Sequence, residues 1–385
     1  MIYNDFQELK LSLLGFGTMR LPLIPGGSGA DIDQARVDEM VDYAIANGVN
    51  YFDTAYPYHE SMSEIAIGKS LARYPRDKYY LATKFPGHQI SESHEPAGIF
   101  EEQLKKCGVD YFDFYLLHNV NENCIDVYKD PKWGILDYFV EQKKLGRIKH
   151  LGFSCHGGLD CIEEFLDYAG DNMEFCQIQL NYMDWTLQKA KEKCELLASR
   201  GLPVWVMEPV RGGKLLEVAP ASMAFRWLAT VPDVTMILSG MSNVDQMKDN
   251  VSTFEELKPL TGDEVQTLYD GAAKLRNAVP CTACRYCCDG CPMGLDIPAL
   301  IHSYNDMKVQ NTFTPLMKVE GMPEDKRPSA CIGCGRCASV CPQHIKIPQI
   351  MSDFSDMLEA VPSWASICKE REEAAETLRN KMKEL

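Results

Sequence analysis

The residues with the clearest chemistry are cysteines near the C-terminus of this 385-residue chain. Eight of the sixteen cysteines form two runs with the pattern C-x2-C-x2-C-x3-C-P, offset by fifty positions. The first run contains Cys281, Cys284, Cys287 and Cys291, and the second contains Cys331, Cys334, Cys337 and Cys341. Thiolates at this spacing bind [4Fe–4S] clusters. The residues therefore predict two such clusters and one-electron chemistry.

Structural zinc is the alternative for closely spaced cysteines. Zinc sites use two C-x2-C pairs for one tetrahedral ion, which leaves the third cysteine and the closing proline of each run unexplained. The runs match the bacterial two-cluster ferredoxin pattern, in which the fourth cysteine of one run serves the other cluster. Cys341 would then be the fourth ligand of the first cluster, and Cys291 would be the fourth ligand of the second. The motifs Ile297-Pro298 and Ile347-Pro348 are predicted to open helices, because proline is tolerated in a first helical turn.

A second set of reactive side chains lies in the first 280 residues, where three successive predicted strands end in Asp53, Lys84 and His118. Tyr58 follows Asp53 by five positions. An ammonium beside a tyrosine lowers the hydroxyl pKa from its usual value of about 10, and a carboxylate compensates the buried ammonium. Tyr58 is therefore predicted to be a general acid. His118 would donate a hydrogen bond to a substrate carbonyl.

Eight β-rich runs alternate with amphipathic helical windows in this part of the chain. The predicted strands are Leu13–Met19, Val49–Asp53, Tyr79–Lys84, Phe112–His118, Ile148–Ser154, Phe175–Gln179, Val204–Met207 and Thr235–Leu238. The helical windows include Ile32–Ala46 and Pro96–Cys107, the latter followed by Gly108 as a helix stop. This alternation is typical of a (β/α)8 barrel. A doubly wound sheet is the alternative, but no GxGxxG turn follows a strand.

We therefore expect an α/β chain with three parts. A TIM barrel is predicted over residues 1–278, a small helix-rich two-cluster ferredoxin-like domain over 279–350, and a helical tail over 351–385. The net charge of −16 argues against nucleic-acid and anionic-membrane partners. A signal-peptide pattern and an apolar run of membrane-spanning length are both missing from the sequence, and the other cysteines are expected to be reduced, so a cytoplasmic location is predicted.

The barrel part resembles the aldo-keto reductase superfamily over about residues 9–255. The stretches that carry the resemblance are Gly15-Phe-Gly-Thr-Met-Arg20, Asn50-Tyr-Phe-Asp-Thr-Ala-x-x-Tyr58, Ser63-Glu64, Gly68-Lys-Ser-Leu71, Thr83-Lys84, Leu104-x-x-x-Gly-Val-Asp-Tyr-Phe-Asp-Phe-Tyr-Leu-Leu-His118 and Gly146-Arg-Ile-x-x-x-Gly-Phe-Ser154. The resemblance implies carbonyl–alcohol interconversion with NAD or NADP bound over the barrel mouth. It also places Asp53, Tyr58, Lys84 and His118 on the family's catalytic tetrad.

The resemblance implies nucleotide contacts as well. Ser154 and Gln177 are similar to the family's carboxamide contacts, and the adenosine-side segment corresponds to Ser239, Gly240, Gln246 and Asn250. Met207 stands where many members have an aromatic ring against the nicotinamide. NADP-preferring members often have arginine at the position of Gln246, so NAD and NADP both stay open. Arg211 and Lys248 are further candidates for phosphate contacts, although such side chains are usually solvated.

The two halves differ in electron count, because a nicotinamide transfers two electrons as a hydride and each cluster accepts one. A flavin is the usual converter, but the sequence has no flavin motif. We favour an NAD(P)H-dependent reductase of a small carbonyl whose clusters exchange electrons with a ferredoxin-like or flavoprotein partner. The alternatives are a nicotinamide-only reductase with structural clusters, and a redox-sensing or binding protein on a reductase-like barrel. Substrate identity and oligomeric state stay open.

Overall fold

The computed structural model describes residues 1–87, 90, 95–122, 124–275, 278–309, 314–363 and 366. The chain divides into two compact units, residues 1–274 and 275–385. Among the helices in the described ranges, none is both long and apolar enough to cross a membrane.

The first unit is a closed barrel of eight parallel strands preceded by an antiparallel hairpin. The strands are β1 Tyr3–Phe6, β2 Leu9–Ser12, β3 Leu14–Gly17, β4 Tyr51–Asp53, β5 Tyr80–Phe85, β6 Phe112–Val120, β7 Ile148–Cys155, β8 Cys176–Gln179, β9 Val204–Met207 and β10 Val234–Gly240. Strands β3 to β10 pair in chain order, and β10 closes the barrel on β3. The predicted TIM barrel is confirmed, with all eight predicted strands present.

Helices follow the barrel strands in sequence. They are α1 Gln34–Ala46, α2 Ser63–Leu71, α3 Pro96–Cys107, α4 Ile125–Lys129, α5 Ile135–Lys144, α6 Leu159–Ala169, α7 Asp184–Leu187, α8 Ala190–Ser199, α9 Ala221–Leu228, α10 Val244–Glu255 and α11 Gly262–Leu275. Helix α3 shows why the sequence places one there. Glu95 caps it by accepting from the backbone N–H groups of Ala97 and Gly98. Gly108 then ends it with a φ of 66°, which glycine adopts without strain.

The hairpin β1–β2 was not predicted from the sequence. Its Phe6 lies with its ring centroid 5.0 Å from that of Trp205 and 5.7 Å from that of Phe114. Both partners lie near the starts of their strands, so the hairpin covers the amino-terminal end of the barrel. Burying a phenylalanine side chain contributes roughly 1.5–3 kcal/mol. The hairpin strands have only four residues each, too few for a clear alternating pattern.

The second unit repeats its elements at the offset of the cysteine runs. Its helices are α12 Tyr286–Asp289, α13 Ile297–Val309, α14 Thr314–Glu320, α15 Arg336–Ser339 and α16 Ile347–Glu359. Helices α13 and α16 begin at the two Ile-Pro motifs, as predicted. Helix α16 runs continuously past residue 350, the predicted end of the ferredoxin-like domain. The charged stretch of that tail, from Lys369 onward, lies outside the described residues.

Candidate functional site

The four predicted catalytic residues come from adjacent elements of the barrel. Asp53 ends β4, Lys84 is the penultimate residue of β5, and His118 lies near the end of β6. Tyr58 lies in the loop that follows β4. Neighbouring parallel strands end on the same side of a barrel, the side where TIM-barrel active sites form. All four are buried, and Lys84 is 0% exposed.

The side chain of Lys84 joins three of these elements. Its Nζ donates to Asp53 Oδ1 at 2.5 Å and to the carbonyl oxygen of Thr54 at 2.7 Å. The same nitrogen lies 3.4 Å from the hydroxyl of Tyr58. The rings of Tyr58 and His118 meet edge to face, with centroids 5.8 Å apart. The structure thus brings all four predicted residues together.

Burial is the largest influence on the pKa values of Lys84 and Asp53. It lowers the pKa of Lys84, and the Asp53 carboxylate opposes that shift. Burial likewise raises the pKa of Asp53, and the Lys84 ammonium opposes that shift. Each charge would be several kcal/mol more costly without its partner.

A buried network behind Lys84 was missed in the sequence. The Glu64 side chain is 0% exposed, and its Oε1 accepts from Thr83 Oγ1 at 2.6 Å and from Gln103 Nε2 at 2.8 Å. Gln103 Nε2 also lies 3.0 Å from the carbonyl oxygen of Lys84. Lys106 Nζ lies 3.1 Å from the other Glu64 oxygen. Burial raises the pKa of Glu64, and Lys106 opposes that shift. The network fixes the backbone that carries Lys84.

The turn after Tyr58 has an unusual backbone. Residues 59–61 all have positive φ, with values of 53°, 52° and 67°, although none is glycine. Left-handed conformations cost L-residues roughly 1–2 kcal/mol each. His59 holds the turn in place, because its Nε2 accepts from the backbone N–H of Leu21 at 3.0 Å and its Nδ1 lies 3.0 Å from the carbonyl oxygen of Gly29. The position of Tyr58 is therefore tied to the loop after β3.

Ser154 and Gln177 are direct neighbours in the register of β7 and β8. The Ser154 hydroxyl accepts from the backbone N–H of Asn119 at 2.8 Å. Gln177 is 2% exposed, and its Oε1 has no hydrogen-bond partner among the described residues. A buried acceptor left unsatisfied costs about 1–3 kcal/mol. An amide N–H of a bound nicotinamide would satisfy it, so these two residues fit the predicted cofactor.

The other residues predicted to contact the nucleotide have different surroundings. Buried Asn250 donates from Nδ2 to Ser239 Oγ at 2.9 Å, which joins α10 to the end of β10 beside exposed Gly240. Gln246 has a local role, because its side-chain oxygen accepts from the backbone N–H of Ser242 at 2.8 Å near the start of α10. Met207 is the half-buried last residue of β9.

The expectation that Arg211 is solvated is wrong. The side chain is 3% exposed, and its Nε lies 3.2 Å from Asp184 Oδ2. That oxygen also accepts from Gln179 and Asn181, each at 2.7 Å. The buried carboxylate compensates the guanidinium, which is the usual condition for burying arginine. Lys248, by contrast, is exposed.

In the second unit the cysteines line two cavities. One, of about 300 Å³, is lined by Cys281, Cys284, Cys287 and Cys341, and the other, of about 350 Å³, by Cys331, Cys334, Cys337 and Cys291. Three cysteines of one run thus meet the fourth of the other run at each cavity. Four thiols around a cavity fit a polynuclear cluster.

Two family models match the two parts of this chain. Residues 13–218 match the model of the aldo/keto reductase family, and residues 280–345 match that of the 4Fe-4S dicluster domain. A probable aldo-keto reductase 1 of Glycine max is 27% identical over 57% of this chain, which spans 63% of that protein. The NADH-specific methylglyoxal reductase of Escherichia coli is 25% identical over 64% of this chain and 90% of its own length.

A solved structure extends the likeness to three dimensions. The holo form of an aldo-keto reductase from Bacillus halodurans superposes with a TM-score of 0.56 and 26% identity, covering 70% of this chain and 96% of its own. The family model spans more than half of the 385 residues and includes the β4, β5 and β6 ends that carry the buried lysine group. With its barrel and its dicluster domain, this chain is an oxidoreductase that belongs to the aldo/keto reductase family.

Proposed function

We propose that the barrel reduces a small carbonyl compound to an alcohol with NADH or NADPH, and that Tyr58 supplies the proton. The observation that carries this proposal is the fully buried Lys84 ammonium between the Asp53 carboxylate and the Tyr58 hydroxyl. A protein rarely buries lysine completely, and does so only where the charge is compensated. Here the Lys84 ammonium lies beside the Tyr58 hydroxyl at the barrel mouth, where it can make that hydroxyl a stronger acid.

The chain's own residues handle the proton. The Lys84 ammonium favours the phenolate of Tyr58, so the hydroxyl releases its proton to a developing alkoxide more readily than a free tyrosine. The His118 ring lies beside the Tyr58 ring and would hydrogen-bond the substrate oxygen as negative charge builds there. Asp53 keeps the ammonium charged in a buried site. The bound nicotinamide supplies the hydride.

Ser154 and Gln177 would bind the carboxamide of the nicotinamide, since they are register neighbours and Gln177 presents an unsatisfied buried oxygen. Met207 would lie near the ring. Ser239, Gly240, Gln246 and Asn250 would line the adenosine side. Because Gln246 carries no charge, both NAD and NADP fit this proposal.

We assign the first cluster to Cys281, Cys284, Cys287 and Cys341, and the second to Cys331, Cys334, Cys337 and Cys291. Support comes from the composition of the two cavities. In the proposed function the clusters exchange single electrons with a ferredoxin-like or flavoprotein partner. Reduced thiols buried in the barrel, such as Cys107 and Cys176, support a cytoplasmic location.

Methylglyoxal is the first substrate to test, because a relative that aligns over 90% of its length is named for reducing it. Nucleotide oxidation would be followed anaerobically with methylglyoxal and a panel of small aldehydes and ketones. Tyr58→Phe should lose activity roughly 100-fold or more, while nucleotide binding, measured by fluorescence, stays unchanged. Tyr56→Phe is the matched control, because its hydroxyl lies against Glu102 at 3.1 Å. Equal activity in all three proteins would contradict the proposal.

A further inference from the structure

A second buried carboxylate, that of Glu64, lies behind the strand that carries Lys84. Its side chain is 0% exposed and belongs to the first turn of α2. Its Oε1 accepts from Thr83 Oγ1 at 2.6 Å and from Gln103 Nε2 at 2.8 Å. Thr83 directly precedes Lys84, and Gln103 Nε2 also donates to the carbonyl oxygen of Lys84 at 3.0 Å. Glu64 is therefore held against the backbone of the residue that carries the ammonium.

Lys106 compensates the charge of this carboxylate. Its Nζ lies 3.1 Å from Glu64 Oε2, and its side chain is 10% exposed. Two hydrogen bonds and a nearby ammonium favour the ionised form of a buried carboxyl group. The same nitrogen lies 3.6 Å from Glu102, whose side chain is 49% exposed, so Lys106 approaches Glu64 from the outer side. Lys84, which is fully buried, lies on the inner side.

The Glu64 charge acts on the Lys84 ammonium from this position. Burial lowers the pKa of Lys84, and the Asp53 carboxylate and then the Glu64 carboxylate oppose that shift. Lys84 Nζ donates to Asp53 Oδ1 and lies 3.4 Å from the hydroxyl of Tyr58. The Tyr58 ring in turn lies beside that of His118. The ammonium thus has one counter-charge in contact and a second one behind its strand.

Further titratable groups interact with Glu64. They are Tyr56 in the loop after β4, Cys107 at the end of α3 and Tyr115 on β6. Burial raises the pKa of Tyr56 to about 12. Burial also raises the pKa values of the Cys107 thiol and the Tyr115 hydroxyl. All three groups therefore stay neutral at the pH values where a tyrosine can act as an acid.

We propose that Glu64 is a positioning residue for the proton transfer, because its carboxylate is the second counter-charge of Lys84 and keeps the ammonium charged beside Tyr58. The inference rests on the proposed function, since it concerns the acid of that reaction. The charge of Glu64 has this role in addition to its hydrogen bonds with Thr83 and Gln103. Removing a negative charge makes neighbouring groups lose their protons at lower pH. Without the Glu64 charge, the ammonium and the hydroxyl should both lose their protons at lower pH.

The pH dependence of activity measures this effect. Reduction needs the protonated Tyr58, so kcat/KM falls at high pH, and the midpoint of that fall is the readout. In Glu64→Gln the midpoint should lie about one pH unit lower than in the wild type. Glu64→Asp keeps the charge while it shortens the side chain, so its midpoint should stay close to that of the wild type. Glu102→Gln is the matched control and should not move the midpoint, because this carboxylate also lies near Lys106 but is half exposed, where charges are screened.

Tyrosinate absorbance gives a second readout that needs no turnover. The difference between each protein and its Tyr58→Phe counterpart, titrated with base, should show the same shift of about one pH unit in Glu64→Gln. If Glu64→Gln does not fold, the double variant Glu64→Gln, Lys106→Met leaves neither of these two charges without its partner. Its midpoint should move in the same direction, because Lys106 lies on the outer side of the carboxylate.

An unchanged midpoint in Glu64→Gln or, where that variant does not fold, in the double variant would overturn the role of the Glu64 charge. An equal shift in Glu64→Asp and Glu64→Gln would also overturn it, in favour of the hydrogen bonds alone. A wild-type chain that reduces no carbonyl compound would contradict the proposed function instead, and the tyrosinate titration would still test the role of Glu64.

Discussion

The buried pair of Lys84 and Asp53 allows a double-mutant cycle with a large expected signal. Two unit charges 2.5 Å apart attract by about 7 kcal/mol at an effective dielectric constant of about 20. Removing one partner of a buried pair typically costs about 3–5 kcal/mol, because the other charge is left uncompensated. Lys84→Met and Asp53→Asn should therefore each lower the free energy of unfolding by about that amount. The double variant leaves neither charge without its partner, so it should lose about 3 kcal/mol or more less free energy of unfolding than the two single variants lose in sum.

Urea unfolding followed by tryptophan fluorescence is the assay. Four of the five tryptophans, Trp133, Trp185, Trp205 and Trp227, lie in the barrel unit, so the signal reports on that unit. The surface pair of Lys10 and Asp5 is the control, because its charges are 2.7 Å apart but its side chains are about three-quarters exposed. Its coupling energy should stay below about 1 kcal/mol. If the free-energy losses of Lys84→Met and Asp53→Asn add up to that of the double variant within about 0.5 kcal/mol, the two charges do not stabilise each other and the reasoning is refuted.

Two further predictions concern the clusters and the base of the barrel. If the fourth ligands are exchanged, the double variant Cys291→Ser, Cys334→Ser should lose one cluster and keep about four irons per chain. The double variant Cys291→Ser, Cys284→Ser should lose both clusters. Iron analysis showing the reverse would mean that each run binds its own cluster. Burial opposes ionisation of Glu174, but hydrogen bonds from His150 and Lys143 outweigh it and lower the carboxyl pKa from 4.5 to about 2. Its folded pKa lies below the unfolded one, so a stabilisation of roughly 1–2 kcal/mol after solvent screening is present above pH 4.5 and is lost as the pH falls toward 2. Unfolding of Glu174→Gln should differ from wild type by that amount at pH 7 and converge with it near pH 2, and a constant difference would contradict the sign.

The sequence predicted the elements that have a strong local signal. Apolar runs predicted the strands that carry Asp53, Lys84 and His118, although β5 and β6 continue to Phe85 and Val120. Proline predicted the helix starts at Ile297 and Ile347. The meeting of these side chains could be expected because adjacent parallel strands end together. Exchange of Cys291 and Cys341 between the two cysteine sets followed from the known ligand pattern, and the cavities group the cysteines in the same way.

Other features depend on contacts between distant residues and leave little local signal. Glu64 lies in the first turn of α2, and only its contacts with Gln103 and Lys106 show that its carboxylate is fully buried. In the sequence Arg211 cannot be distinguished from a solvated arginine, because its partner Asp184 lies 27 residues away in the chain. The left-handed turn at residues 59–61 has no glycine to mark it. Its first residue, His59, accepts a hydrogen bond from Leu21, 38 residues earlier in the chain.

In the proposed reaction Tyr58, beside the Lys84 ammonium, transfers a proton to a carbonyl while a bound nicotinamide supplies the hydride. Single-turnover experiments with NADH and NADPH deuterated at C4 and a reactive small aldehyde test it most directly. Deuterium should appear on the carbinol carbon of the product with the wild-type chain and with Tyr56→Phe, and the rate should fall roughly 100-fold or more in Tyr58→Phe and Lys84→Met. Deuterium transfer at an unchanged rate in Tyr58→Phe, or product that carries no deuterium, would contradict the account.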